Sequence, residues 1–101
     1  MVSAEKNPAL TAPKGACDTH MHFYNAEFPS APTALMTPPD AWVGDYRSIQ
    51  QRLNLERVVV VQPTTYGTDN SCQLEAMKAF GENARGVMVA DTSTSDEELQ
   101  R

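Results

Sequence analysis

Gly15-Ala16-Cys17-Asp18-Thr19-His20-Met21-His22-Phe23 is the stretch from which the fold can be read. It has the composition of a first β-strand that ends in two histidines. Side chains alternate between the two faces of a strand, so Cys17, Thr19, Met21 and Phe23 are expected on one face and Asp18, His20 and His22 on the other. The first face is mostly apolar and suited to packing against helices. The second carries three groups able to coordinate, hydrogen-bond or transfer protons. Same-face neighbours stand roughly 6.5 Å apart along a strand, so two imidazoles so placed can converge on one ion or one substrate atom. His20 and His22 are the chain's two histidines. A His-X-His alone also fits ordinary packing, because metal and catalytic sites need further converging groups.

The second strand reads from Arg57-Val58-Val59-Val60-Val61-Gln62-Pro63. Four consecutive valines without alternation are expected where both faces of a strand are buried, as in a parallel sheet covered by helices. Gln62 then stands at the carboxyl end, where α/β folds place ligand-binding groups. Thr64-Thr65-Tyr66-Gly67-Thr68-Asp69-Asn70 is a loop of hydroxyls, one glycine and helix-capping residues. Thr64, Thr65 and Tyr66 have no evident capping duty and are candidates for substrate contact. Asp69 and Asn70 are also explained by capping. Gly67 suggests a positive φ or a close backbone approach.

Between these strands, four prolines from Pro29 to Pro39 predict a long irregular connection, in which Tyr24 and Phe28 either line a pocket or anchor the loop. A helix follows, capped by Thr37 or Asp40, with Trp42, Tyr46, Ile49 and Leu53 forming its apolar stripe and Asn54 stopping it. A second helix is expected from Ser71 to Asn83, with Leu74, Ala76, Met77 and Phe80 facing the core. A third strand, Arg85 to Ala90, leads to Asp91. Thr94 with Glu97, or Ser95 with Glu98, matches a capping box that opens another helix.

The order βα, βα, β and the start of another α predicts a parallel sheet. No Gly-rich phosphate turn follows the first strand, which disfavours a dinucleotide or P-loop fold. A complete (β/α)8 barrel needs about 250 residues. Three such strands could begin a barrel or an open doubly wound sheet. The His-X-His at the end of the first strand, on the side where barrel enzymes place chemistry, favours the barrel. At 101 residues the chain supplies about three βα units, so it is expected to be the N-terminal part of a TIM barrel and a fragment of a longer chain. Residues 1–14 read as an extended arm and 15–101 as the partial barrel, with open sheet edges through which the piece can associate.

Composition narrows the function. Charged residues make up 21% and hydrophobic residues 41%, an ordinary globular balance, and the formal net charge of −5 argues against a nucleic-acid surface. No apolar run is long enough for a membrane span, and residues 1–14 lack the apolar core of a secretory signal. Two cysteines far apart suggest reduced thiols and a cytoplasmic location.

Asp18-Thr19-His20-Met21-His22-Phe23, taken with Val60-Val61-Gln62-Pro63 and Tyr66-Gly67-Thr68-Asp69-Asn70, resembles the amidohydrolase superfamily, in the metal-independent branch of 2-pyrone-4,6-dicarboxylate lactonase and its relatives. The resemblance extends from about Gly15 onward, and the two signatures about 40 residues apart are more specific than either alone. Within that branch the same stretches look like enzymes acting on galactarolactone. The resemblance implies a (β/α)8 barrel that isomerises D-galactaro-1,5-lactone to the 1,4-lactone by intramolecular transesterification, with no cofactor. It implies His20 and His22 as catalytic groups that polarise and orient the ester, and Gln62, Thr64, Thr65, Tyr66 and Asn70 as substrate-binding groups. Family members complete the site with a late aspartate and with arginines that this stretch does not contain, so the piece alone is expected to be inactive.

Three other readings compete. His20 and His22 could instead bind zinc or another divalent metal in a hydrolase or decarboxylase of the same superfamily. A lactonase would open the ring with water. A non-catalytic α/β module would bind a small acid or a partner chain.

Overall fold

The computed structural model describes residues 9–36 and 38–100. Three parallel strands, β1 (Cys17–Met21), β2 (Arg57–Val61) and β3 (Ala84–Val87), lie in the order β1-β2-β3. Helix α1 (Val43–Leu53) falls between β1 and β2, and α2 (Ser71–Met77) between β2 and β3. A short α3 (Asp96–Leu99) follows β3.

The valine run behaves as its composition demands on one face and only half so on the other. Val58 and Val60 are 1% and 0% exposed, whereas Val59 and Val61 stay partly exposed. Burying a valine side chain fully contributes about 1.5–3 kcal/mol. The helices cover the Val58–Val60 face, and the described residues leave the other face without a second layer. Phe23 centres the core, its ring 5.8–5.9 Å from those of Trp42, Tyr46 and Phe80. Arg47 covers the outer side of Phe80, its guanidinium carbon 4.4 Å from the ring centroid.

One expectation about β1 fails, for a local reason. Asp18 pairs with Val58, and Met21 with Val60. Three steps along β1 therefore match two along β2, which is the signature of a bulge. The extra residue resets the alternation. Asp18 does not share a face with the two histidines; it falls with Met21 on the helix side, where the Tyr46 hydroxyl donates to its carboxylate at 2.8 Å. Its other oxygen accepts the His20 backbone N–H at 3.2 Å, so the carboxylate braces the bulge against α1.

The helix boundaries also differ from the pattern reading. Trp42 is the N-cap of α1, and Asp45 reaches back to its N–H. Asp40 instead accepts from Ala26 in the irregular connection, and Thr37 lies outside the described residues. Asn54 ends α1 in the left-handed region, φ 57°, as expected. Helix α2 stops at Met77, well before Asn83; a 3-10 turn follows, begun by Gly81 at φ 55°. Strand β3 ends at Val87 rather than Ala90. The Ser95 hydroxyl accepts from the Glu98 N–H at 3.2 Å, so Ser95 rather than Thr94 is the N-cap of α3.

Candidate active site

The carboxyl ends of β1 and β2 lie side by side, which sets the histidines of β1 beside Val61 at the end of β2. His20 and His22 come together with ring centroids 5.3 Å apart, edge to face. His20 is exposed and His22 half-buried. The His22 ring bonds to the Val61 carbonyl through Nδ1 at 2.8 Å. A carbonyl only accepts, so Nδ1 carries the proton, and Nε2 of the neutral ring keeps a lone pair for whatever lies in front of it.

A row of rings continues from this pair. Tyr24 stands 6.2 Å from His22, and Tyr66 6.3 Å from Tyr24. Tyr24 is held by an isolated antiparallel bridge, with two backbone bonds of 2.8 and 2.9 Å to Ala41. The Tyr66 hydroxyl donates to the Asn25 carbonyl at 3.2 Å and accepts the Asn25 N–H at 3.0 Å. Burial pushes its phenol above the ordinary tyrosine range, so it remains a neutral donor.

The residues after β2 fall into two groups. Gln62 is 6% exposed and spends its amide nitrogen on the Gly67 and Asp69 carbonyls, at 2.9 and 2.8 Å. Its Oε1 is buried and has no donor among the described residues. Asn70 exchanges two bonds with the Val89 backbone, its amide donating to the carbonyl at 2.9 Å and accepting the N–H at 3.0 Å. Thr65 and Tyr66 are buried, and the Thr65 carbonyl anchors Ala31 of the irregular connection at 2.7 Å. Thr64 alone of the nominated loop residues keeps its side chain exposed. Gly67 satisfies both expectations, with φ 56° and a position where a Cβ would lie 3.1 Å from the Ala31 methyl.

Gln73 escapes a sequence reading. It sits on α2 among apolar neighbours and is 0% exposed. Its Oε1 accepts the Phe23 N–H at 3.1 Å and its Nε2 donates to the Phe23 carbonyl at 2.8 Å. The one available signal is a polar residue at a core-facing helical position. Asp91, at the far end of the β3 connection, serves its own loop: the Ser93 hydroxyl and N–H hold its carboxyl below the usual range. Cys17 and Cys72 are free thiols, and burial raises that of Cys72.

Among the described residues no three His, Cys, Asp or Glu side chains cluster to hold a metal ion. The two imidazoles can offer two ligands, half of what a tetrahedral zinc site uses. No helix among the described residues is long and apolar enough to cross a membrane.

Parallel strands, a helix layer on one face and a histidine pair at the strand ends are the arrangement expected in part of a (β/α)8 barrel. The chain belongs to the amidohydrolase family, whose profile matches residues 17–101. It is 41% identical over 96 residues to a 2-pyrone-4,6-dicarboxylate hydrolase of Comamonas testosteroni, covering 93% of this chain and 32% of the relative. It is 35% identical to the D-galactarolactone isomerase of Agrobacterium fabrum, covering 94% and 32%. A 4-sulfomuconolactone hydrolase of Rhizobium radiobacter is 40% identical, with 79% and 27% covered. Among solved structures, an apo protein of Agrobacterium tumefaciens superposes with a TM-score of 0.81 at 31% identity, covering 92% of this chain and 35% of that one. A "probable 2-pyrone-4,6-dicarboxylic acid hydrolase" of Acinetobacter baumannii with citric acid bound gives 0.77 at 30%, covering 85% and 33%. The chain thus spans about a third of the length of these relatives. Its three-stranded unit is the N-terminal part of an amidohydrolase-like TIM barrel.

Proposed function

We propose that the complete protein processes a sugar-acid lactone, isomerising D-galactaro-1,5-lactone to the 1,4-lactone by intramolecular transesterification. The observation that carries this reading is the imidazole pair at the end of β1, with His22 fixed through Nδ1 on Val61. The names of the relatives, all of which act on lactones or pyrones, support the substrate class.

The chemistry asks little of the protein. A substrate hydroxyl adds to the lactone carbonyl, the ring C–O bond breaks, and the proton of the attacking hydroxyl ends on the leaving oxygen. No water or redox partner is consumed. His20 is assigned to the carbonyl, where a donor stabilises the oxyanion of the tetrahedral intermediate. His22, with Nδ1–H engaged, orients the ester and presents Nε2 to it. Thr64 and Tyr66 are assigned to the substrate's hydroxyls or carboxylate. Gln62, Thr65 and Asn70 shape the wall that holds them. A general base and cationic groups for the carboxylate belong to the two thirds of the relatives' length that this chain does not span. The reading includes no cofactor and a cytoplasmic location.

Two specific observations favour other readings. Two of the three named relatives are hydrolases, which supports ring opening by water. A histidine whose Nδ1–H is donated to a backbone carbonyl is also oriented as metal ligands are, which supports a divalent ion on Nε2.

A proton NMR time course of galactaro-1,5-lactone with the complete protein, in chelator, separates the three. Appearance of the 1,4-lactone establishes the isomerase. The open diacid establishes the lactonase. Turnover only after a divalent metal is restored moves His20 and His22 to the metal.

A further inference from the structure

We propose that Gln73 is a positioning residue for His22, its side-chain amide standing in for a strand partner of Phe23. The inference takes its importance from the lactone-site reading above, but its test does not depend on turnover.

Pairing of β1 with β2 ends at Met21. Two residues later Phe23 is 1% exposed. Its backbone N–H and C=O therefore have neither a strand partner nor water, a combination that folded chains avoid. Gln73 supplies both missing partners from α2, with bonds of 3.1 and 2.8 Å to the same residue. A primary amide offers the donor and acceptor of a peptide unit side by side at any protonation state of its surroundings. A leucine or methionine there would fill the same volume and leave both Phe23 groups orphaned. The Cys72 thiol, 3.8 Å from the Phe23 carbonyl, is too weak a donor to replace it.

His22 is thus set between two fixed points. Met21 before it is registered on Val60, and Phe23 after it is clamped to α2. From that position the ring reaches the Val61 carbonyl, a bond spanning 39 residues that selects the Nδ1–H form. Release of Phe23 leaves the next anchor at Tyr24, bridged to Ala41, and lets the short segment from Met21 to Tyr24 shift under His22, so that the selected tautomer is lost with its carbonyl partner.

The test is long-range 1H–15N NMR of the histidine rings in the full chain at about pH 8.5, above the ordinary imidazole range. Two-bond correlations show which ring nitrogen carries the proton. The sequence holds two histidines, and the spectrum of a His20→Gln variant identifies the His22 signals. The parent is expected to show His22 as the Nδ1–H form. Gln73→Met, close in volume, should abolish that signature, while Val58→Ala, which loosens the core at the amino end of β2, should keep it. Retention of the Nδ1–H form in folded Gln73→Met overturns the proposal. So does its loss in Val58→Ala, since the tautomer would then follow overall stability. If Gln73→Met does not fold, Gln73→Asn decides: its amide keeps the polarity but is one methylene too short to hold both the Phe23 N–H and carbonyl. Loss of the signature in that variant supports the clamp, and retention overturns it.

Discussion

The carboxyl ends of β1 and β2 are neighbours in one sheet, yet they use their polar residues in opposite ways. At the end of β1, other groups do the structural work. Gln73 satisfies the Phe23 backbone, Asp18 braces the bulge, and Val61 takes one nitrogen of His22. The remaining imidazole edges are left over. At the end of β2, the polar residues are themselves the structure. Gln62 holds the Gly67 and Asp69 carbonyls, and Asn70 holds Val89. A polar side chain at a strand end is therefore a site candidate only to the extent that the backbone has not already claimed it.

This contrast predicts that β1-end substitutions act on turnover and β2-end substitutions on stability. The largest effect is expected for His20→Ala and His22→Ala in the complete protein. Loss of one preorganised group facing the developing oxyanion typically costs about 100-fold or more in kcat. Urea unfolding midpoints should barely move for His20→Ala, because that ring is exposed. Normal turnover in both variants would remove the pair from the mechanism and erase the contrast at its stronger end.

Asn70→Ala is the counterpart at β2. It removes both bonds to Val89 and leaves that backbone to water or to no partner, at a cost of about 2 kcal/mol. Chemical denaturation measures it. The expected pattern is a lowered midpoint, with kcat of the remaining folded protein within about threefold of the parent, far short of a catalytic loss. A drop in kcat with an unchanged midpoint would return Asn70 to the substrate.

Both ends of this comparison were only partly legible in the sequence. The valine run, the paired histidines, the Asn54 stop and the Ser95–Glu98 cap each carry local signals, and the structure forms the corresponding elements. The bulge in β1 has no such signal. Neither Thr19 nor His20 marks it, and it is set by how β1 registers on a strand some 40 residues away. Strict alternation therefore put Asp18 on the wrong face. Gln73 was invisible for a related reason: its partner is a backbone unit 50 residues distant, and helical periodicity reports which side a residue faces without saying what it meets there. The pattern overextends α2 because Leu74, Met77 and Phe80 keep helical spacing past Met77, through the turn at 78–80 that precedes the 3-10 turn Gly81–Asn83.

Asp18 offers a smaller and pH-resolved test, since it links the bulge under the histidines to α1. Burial first, and then the Asp18 carboxylate, raise the Tyr46 phenol well above its ordinary range. The folded state thus binds the phenolic proton more tightly than the unfolded state. The stabilisation is complete below about pH 10, the ordinary tyrosine value, and is lost as pH rises further. Tyr46→Phe should cost about 1 kcal/mol at neutral pH through the lost bond. It should also flatten the alkaline fall in stability. An unchanged alkaline limb in Tyr46→Phe would assign that limb to another group.

The smallest expected effect sharpens the comparison most, because Thr64 is the exception at its own end. Its side chain is exposed, and among the described residues it forms none of the loop-holding bonds that Gln62 and Asn70 form. Thr64→Val keeps the branched shape and deletes only the hydroxyl. With no structural partner to orphan, stability should stay within about 0.5 kcal/mol of the parent. A hydrogen bond to substrate in both ground and transition states would appear as a rise in KM of up to about tenfold with kcat unchanged. Unchanged KM together with unchanged stability would remove Thr64 from substrate contact and leave Tyr66 as the β2-end group assigned to the lactone. A clear loss of stability would show instead that the hydroxyl has a backbone duty, and the division between the two strand ends would then be complete.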